Sequence, residues 1–92
     1  MTTFPLEQPV TINGRTFNNI QAGMSFIVEN GTYDGVVKIT VSKCANVKRS
    51  SCWGDYTEPK VFFEVEADNG YLDKSVINPV SFRKYYIDRR TL

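Results

Sequence analysis

Between residues 43 and 56 three cations, Lys43, Lys48 and Arg49, share one short segment with Trp53 and Tyr56. Arg, Trp and Tyr are enriched at the energetic centres of interfaces, because each buries a large surface and still hydrogen-bonds. The same set can contact phosphates through its cations and stack its rings on bases. Asn46 and Asp55 add polar groups to the segment. The competing arrangement is a solvated cationic loop with Trp53 folded back as a lid on the core. A second mixture of cations and rings, Arg83-Lys84-Tyr85-Tyr86-Ile87-Asp88-Arg89-Arg90, makes Arg89 and Arg90 further candidate contacts. Its alternative is an edge strand with protective charges and a solvated tail. Tyr33 and Asp34, in a glycine-flanked turn, offer a third contact or a plain turn.

Little in the chain suits catalysis. There is no histidine, the commonest general base at neutral pH. Glu64 and Glu66 fall on one strand face, where a solvated edge explains them better than an acid/base pair. No glycine-rich phosphate loop leads from a strand into a helix. Cys44 and Cys52 lie eight positions apart without a second Cys or His pair, whereas structural zinc takes four ligands. The expectation is a chain without enzymatic activity, metal or cofactor, and without a small-molecule substrate. Two free thiols are expected, with Cys44 a small core residue; a disulfide would need the 45–59 segment to fold back.

With 92 residues the chain reads as a single domain, 1–92. Net charge is +1, low for a free nucleic-acid binder, although only local charge meets a phosphate. Met1-Thr2-Thr3-Phe4-Pro5 lacks the basic start and apolar run of a signal peptide. No segment approaches the roughly 18 apolar residues of a membrane span. A cytosolic protein with no membrane contact is therefore expected.

The elements that must position these groups are mostly strands. Aromatic residues make up 13% of the chain, favouring pleated, half-buried surfaces. Asn13-Gly14 between alternating residues signals a hairpin, with Ile12 opposite Arg15 and Val10 opposite Phe17; a single helical turn over 16–22 is the rival. Residues 23–29 read as a strand. Val37, Ile39 and Val41 alternate with Lys38, Thr40 and Ser42, and Val61, Phe63 and Val65 alternate with charged residues. Both runs predict strands with one buried face, although Phe62 places a ring on the charged side. Residues 45–59 show no period and read as a long irregular loop. Asp68-Asn69-Gly70 predicts a turn before a strand over 71–77. Residues 80–87 are either a last strand or a short helix capped by Asn78 with Pro79 at its first position.

These signals predict a mainly β domain, a small antiparallel sheet of four to six strands or an SH3-like barrel, with at most one or two short helices. The barrel alternative rests on Gly23-x-x-Phe26-x-Val28-x-Asn30-Gly31 and Gly35-x-Val37, which look like the opening of such a barrel.

As a whole the chain resembles the small phage-encoded type I-F anti-CRISPR proteins. The likeness lies in its length, in the start Met1-Thr2-Thr3-Phe4-Pro5-Leu6-Glu7-Gln8-Pro9 and in the run Cys44-Ala45-Asn46-Val47-Lys48-Arg49. Such proteins share no functional signature, so no site transfers residue by residue. The resemblance implies a non-enzymatic inhibitor in the host bacterial cytoplasm that binds the crRNA-guided type I-F CRISPR surveillance complex and blocks recognition of target DNA; the sequence leaves the oligomeric state open, with a monomer favoured. Asp34, Asp55 and Glu58 would then occupy DNA-binding cations of the complex, and Lys48 and Arg49 would meet crRNA phosphate. A phage head or tail completion domain and a single-stranded nucleic-acid binder are the readings from other classes.

Overall fold

A computed structural model describes residues 2–30 and 35–91. The first two strands, β1 (Phe4–Ile12) and β2 (Arg15–Ile20), form the predicted hairpin with the predicted register. Asn13 and Gly14 take φ of +51° and +78° at its turn. Those two residue types tolerate the left-handed region, and their twist matches that of the flanking strands. The alternative helical turn over 16–22 is thereby excluded. Pairing is interrupted between Pro5 and Val10, a stretch in which Pro5 and Pro9 have no N–H to offer.

The second sheet has five strands in the order β6-β5-β4-β3-β7, all antiparallel. These are β3 (Ser25–Asn30), β4 (Gly35–Ser51), β5 (Gly54–Ala67), β6 (Leu72–Ile77) and β7 (Arg90–Thr91). Five strands fall within the expected four to six; with the separate hairpin the described residues hold seven, the last because Arg90 and Thr91 pair with Val28 and Ile27. The five-stranded sheet keeps two open edges, so the antiparallel-sheet alternative holds and the closed barrel does not.

One helix lies between β6 and β7. Its first turn, α1 (Pro79–Phe82), passes directly into a π-helical turn over Arg83–Ile87. Asn78 caps it as the sequence suggested, its Oδ1 accepting from Ser81 N at 2.8 Å. Asn78→Ala removes that acceptor and is expected to cost about 1 kcal/mol in chemical denaturation, whereas Asn78→Asp should be nearly neutral.

Ile12, Phe17 and Ile20 of the hairpin pack on the same cluster as Val37, Ile39, Val41, Val61, Phe63 and Val65. Phe82 and Ile87 complete that cluster from the helix. Arg83 Nη1 pairs with Glu7 Oε1 at 3.2 Å and ties the helix to β1. Cys44 is buried in the core as expected, its Sγ donating to the Ile20 carbonyl at 3.4 Å. A bulge between Val41 and Lys43 shifts the alternation by one residue, so that Cys44 follows Val41 on the buried face. Ser42 donates from Oγ to the Phe62 carbonyl across it.

Burial raises the Cys44 thiol above its ordinary value, and likewise the Tyr86 hydroxyl. Both are neutral in the fold and ionise more easily once exposed, so the unfolded chain loses its protons first. Their contribution to stability is intact below the ordinary thiol range and declines as pH rises through the thiol and then the phenol range. Denaturation at pH 7 and pH 10 should show the drop, and Tyr86→Phe should make it smaller. A thiol reagent at pH 7.5 should modify exposed Cys52 rapidly and Cys44 only on unfolding.

Candidate functional site: a projecting β-ribbon

Residues 45–59 are not an irregular loop. β4 and β5 stay paired without a break from Lys43↔Phe62 to Ser51↔Gly54. Only Cys52 and Trp53 connect them, and Gly54 takes φ +119°. Ser51 Oγ donates to Gly54 O at 2.9 Å and accepts from Trp53 N at 3.2 Å, which closes the turn. β3 pairs with β4 only as far as Thr40, and β6 pairs with β5 only as far as Val61. Beyond those points the two strands continue as a ribbon paired with no other strand among the described residues.

Directly opposed residues of an antiparallel pair share a face, so the register sorts the candidate residues. Lys43, Arg49, Tyr56, Glu58, Lys60 and Phe62 lie on the outer face, with Ala45 and Val47. Asn46, Lys48, Ser50, Asp55 and Thr57 lie on the face that continues the core side. Ion pairs follow the same division. Arg49 Nε meets Glu58 Oε2 at 3.2 Å and Lys60 Nζ meets the same oxygen at 3.7 Å, while Lys48 Nζ meets Asp55 Oδ2 at 3.7 Å. Ser50 Oγ also donates to Asp55 Oδ1 at 3.0 Å. Lys60 is half-buried, whereas Lys48, Arg49 and Asp55 are exposed, and exposed pairs rarely contribute more than about 1 kcal/mol. Their groups remain free to exchange partners.

The outer face is the basic one, with Lys43, Arg49 and Lys60 around the single carboxylate of Glu58. Lys43 Nζ sits 4.8 Å from the Phe62 ring centroid, which gives the unexpected ring on the charged side a role as a cation platform. Trp53 at the tip is 94% exposed, and Tyr56 is exposed beside it. The lid arrangement for Trp53 is therefore excluded.

Lys48 and Arg49, adjacent in sequence, point to opposite faces and do not form one contact. Arg89 is exposed, with its Cζ 5.5 Å from the Tyr85 ring centroid. Arg90 is half-buried instead, its Nη1 donating to Ile87 O at 2.7 Å. The 80–87 segment is thus a helix, not an edge strand, and Arg90 belongs to a strand, not a solvated tail. Tyr33 and Asp34 lie outside the described residues. Cys44 and Cys52 are both free: Cys44 lies within β4, buried, and Cys52 lies exposed in the turn beyond its end. No group of three or more His, Cys, Asp or Glu able to hold a metal occurs among the described residues. No described helix is long and apolar enough to cross a membrane.

Sequence reasoning missed the assignment of these residues to two faces, together with Val47 and Lys60. The signal available was Phe62, a ring in phase with Lys60 and Glu64. Comparison with known protein families, with curated protein sequences and with solved structures finds no match in any of the three.

Proposed function

We propose that this chain is a non-enzymatic binding protein whose contact surface is the β4–β5 ribbon. The observation that carries this reading is Trp53, 94% exposed at the tip of a paired ribbon that no other strand supports among the described residues. An isolated two-stranded ribbon is marginally stable in water, and an exposed indole adds nothing to the fold. Both make sense when a partner covers them.

The resemblance to type I-F anti-CRISPR proteins names the partner: a crRNA-guided surveillance complex, whose target-DNA recognition the bound protein blocks. A narrow ribbon with a basic, ring-bearing outer face and a mixed-charge inner face suits a cleft made of both protein and RNA. The second reading, a binder of naked single-stranded nucleic acid, is favoured by Arg49 opposite Tyr56 with Trp53 beyond them.

The test uses purified type I-F complex, preincubated with the protein and then offered target duplex in a mobility-shift assay. DNA binding should fall with increasing protein, and tagged protein should retain the complex from lysate of a bacterium carrying that system. Unchanged DNA binding at saturating protein refutes the inhibitor reading. Tight, salt-sensitive binding to naked oligonucleotides would favour the second.

A further inference from the structure

We propose that the cavity between the β1–β2 turn and the edge of β3 is a socket for a carboxylate carried on a short apolar stem. Its volume is about 230 Å³. Ile12, Phe26 and Ile27 line it with apolar surface, Asn13 and Ser25 contribute polar groups, and Lys38 and Arg90 supply two cations. No carboxylate is among its described lining residues.

The topology explains why an opening exists here. β7 pairs with β3 only at Ile27 and Val28. The edge of β3 at Ser25 and Phe26 is left to the β1–β2 turn, whose Ile12 and Asn13 approach from the other sheet. Measured along β4, Lys38 stands roughly 40 Å from the ribbon tip at a strand's rise per residue. The socket is therefore separate from the proposed ribbon surface and does not depend on that reading.

Three observations select the ligand. The volume is below the roughly 300–1,000 Å³ of sites for larger organic ligands, which suits a group the size of benzoate and not a nucleotide. Lys38 stands opposite Glu66 on β5, so the local excess is nearer one positive charge than two. That excess matches a carboxylate monoanion better than a phosphate dianion. The third is the state of Arg90. Its Nη1 donates to Ile87 O at 2.7 Å, while its Nε–H is buried without an acceptor. A buried donor without a partner is unfavourable. With Nη1 engaged, the Nε–Nη2 edge remains, and a guanidinium edge matches both oxygens of a carboxylate in a bidentate pair. Turning that edge onto a carboxylate in the cavity satisfies the orphaned donor and neutralises the excess charge together. The carboxylate has two sources, a free organic acid or an acidic side chain of a protein.

The experiment is an NMR titration of the isotopically labelled protein with benzoate, with a short glutamate-containing peptide and with inorganic phosphate. Benzoate should give saturable shifts at the amides of Asn13, Ser25 and Ile27 and at the Arg90 Nε–H. Phosphate should bind at least tenfold more weakly. Saturation by the peptide as well assigns the socket to a protein side chain; saturation by benzoate alone assigns it to a free acid. Arg90→Lys keeps the charge, loses the two-pronged edge and should weaken benzoate at least tenfold, whereas Trp53→Ala should leave it unchanged. If Arg90→Lys does not fold, Lys38→Gln serves in its place, with a severalfold loss expected. Linear shifts without saturation, phosphate binding as well as benzoate, or a folded Arg90→Lys or Lys38→Gln variant that binds like the parent overturns the proposal.

Discussion

Phe82→Ala lowers the stability of the fold by about 3–5 kcal/mol, the range for large-to-small changes at a fully buried aromatic. Phe82 is 0% exposed and joins the helix to the five-stranded sheet. Its ring centroid lies 5.1 Å from that of Phe63 on β5, 6.0 Å from Phe26 on β3 and 5.4 Å from Tyr86 on the next turn. The Phe63 and Tyr86 rings also meet, tilted by 58°, with centroids 4.9 Å apart. Truncation empties the centre of this cluster, and rings fixed on two different strands cannot collapse into the space. A helix of nine residues does not hold by propensity, so losing this anchor should loosen the helix before the sheet. A domain of this size has roughly 5–10 kcal/mol of stability in all. Thermal melting should fall by well over 10 °C at about 4–8 °C per kcal/mol, and exchange protection of the helix amides should fall furthest. Phe82→Leu, which keeps most of the volume, should recover much of the loss. A Phe82→Ala protein that melts within a few degrees of the parent would show that the helix is peripheral to the core.

Which parts of this architecture could be read from the residues follows from what each strand faces. Val37, Ile39 and Val41, with Val61, Phe63 and Val65, have one dry and one wet side, and burial writes a period of two into such strands. Asn13-Gly14 was legible because few residue pairs accept positive φ twice. The 45–59 segment was not. Neither face of the ribbon is fully buried: Ala45, Val47, Glu58 and Lys60 on the outer face are half-buried and the opposite face is exposed, so no position is forced to be apolar and the alternation of residue types is faint. Its pairing depends instead on continuity with the buried halves of β4 and β5 and on the Ser51–Gly54 turn. The bulge at Ser42 hid the continuity further by moving Cys44 out of phase with Val41. In 80–87 the cap at Asn78 was visible, but Phe82, Tyr86 and Ile87 fit a helical face and a strand about equally well. β7 carries no local signal, being two residues defined only by their partner. Of the candidate site, residue types were legible and faces were not, because a face is a property of register.

Register also determines the sharper experiment on the ribbon. Trp53→Ala is expected to weaken partner binding by about 1–4 kcal/mol, as truncation of an interface anchor does, and to leave thermal melting within a degree or two. The second half follows from exposure, because an indole in water gives the fold no burial to lose. The charge variants should separate by face. Arg49→Ala with Tyr56→Ala strips the outer face while Lys60 keeps its contact with Glu58, so folding should be preserved. Lys48→Ala touches only the inner face, where Asp55 retains Ser50 as a donor. If the outer face meets RNA phosphate, the Arg49/Tyr56 variant should weaken binding by a similar amount and flatten its dependence on salt concentration. Trp53→Ala should weaken binding with the salt slope unchanged, since its ring displaces no counterion. If the inner face is the one in contact, Lys48→Ala should produce the loss instead, and the outer-face variant should bind like the parent. Normal binding by all three folded variants would remove the ribbon from the interface and leave its exposed tip without a function.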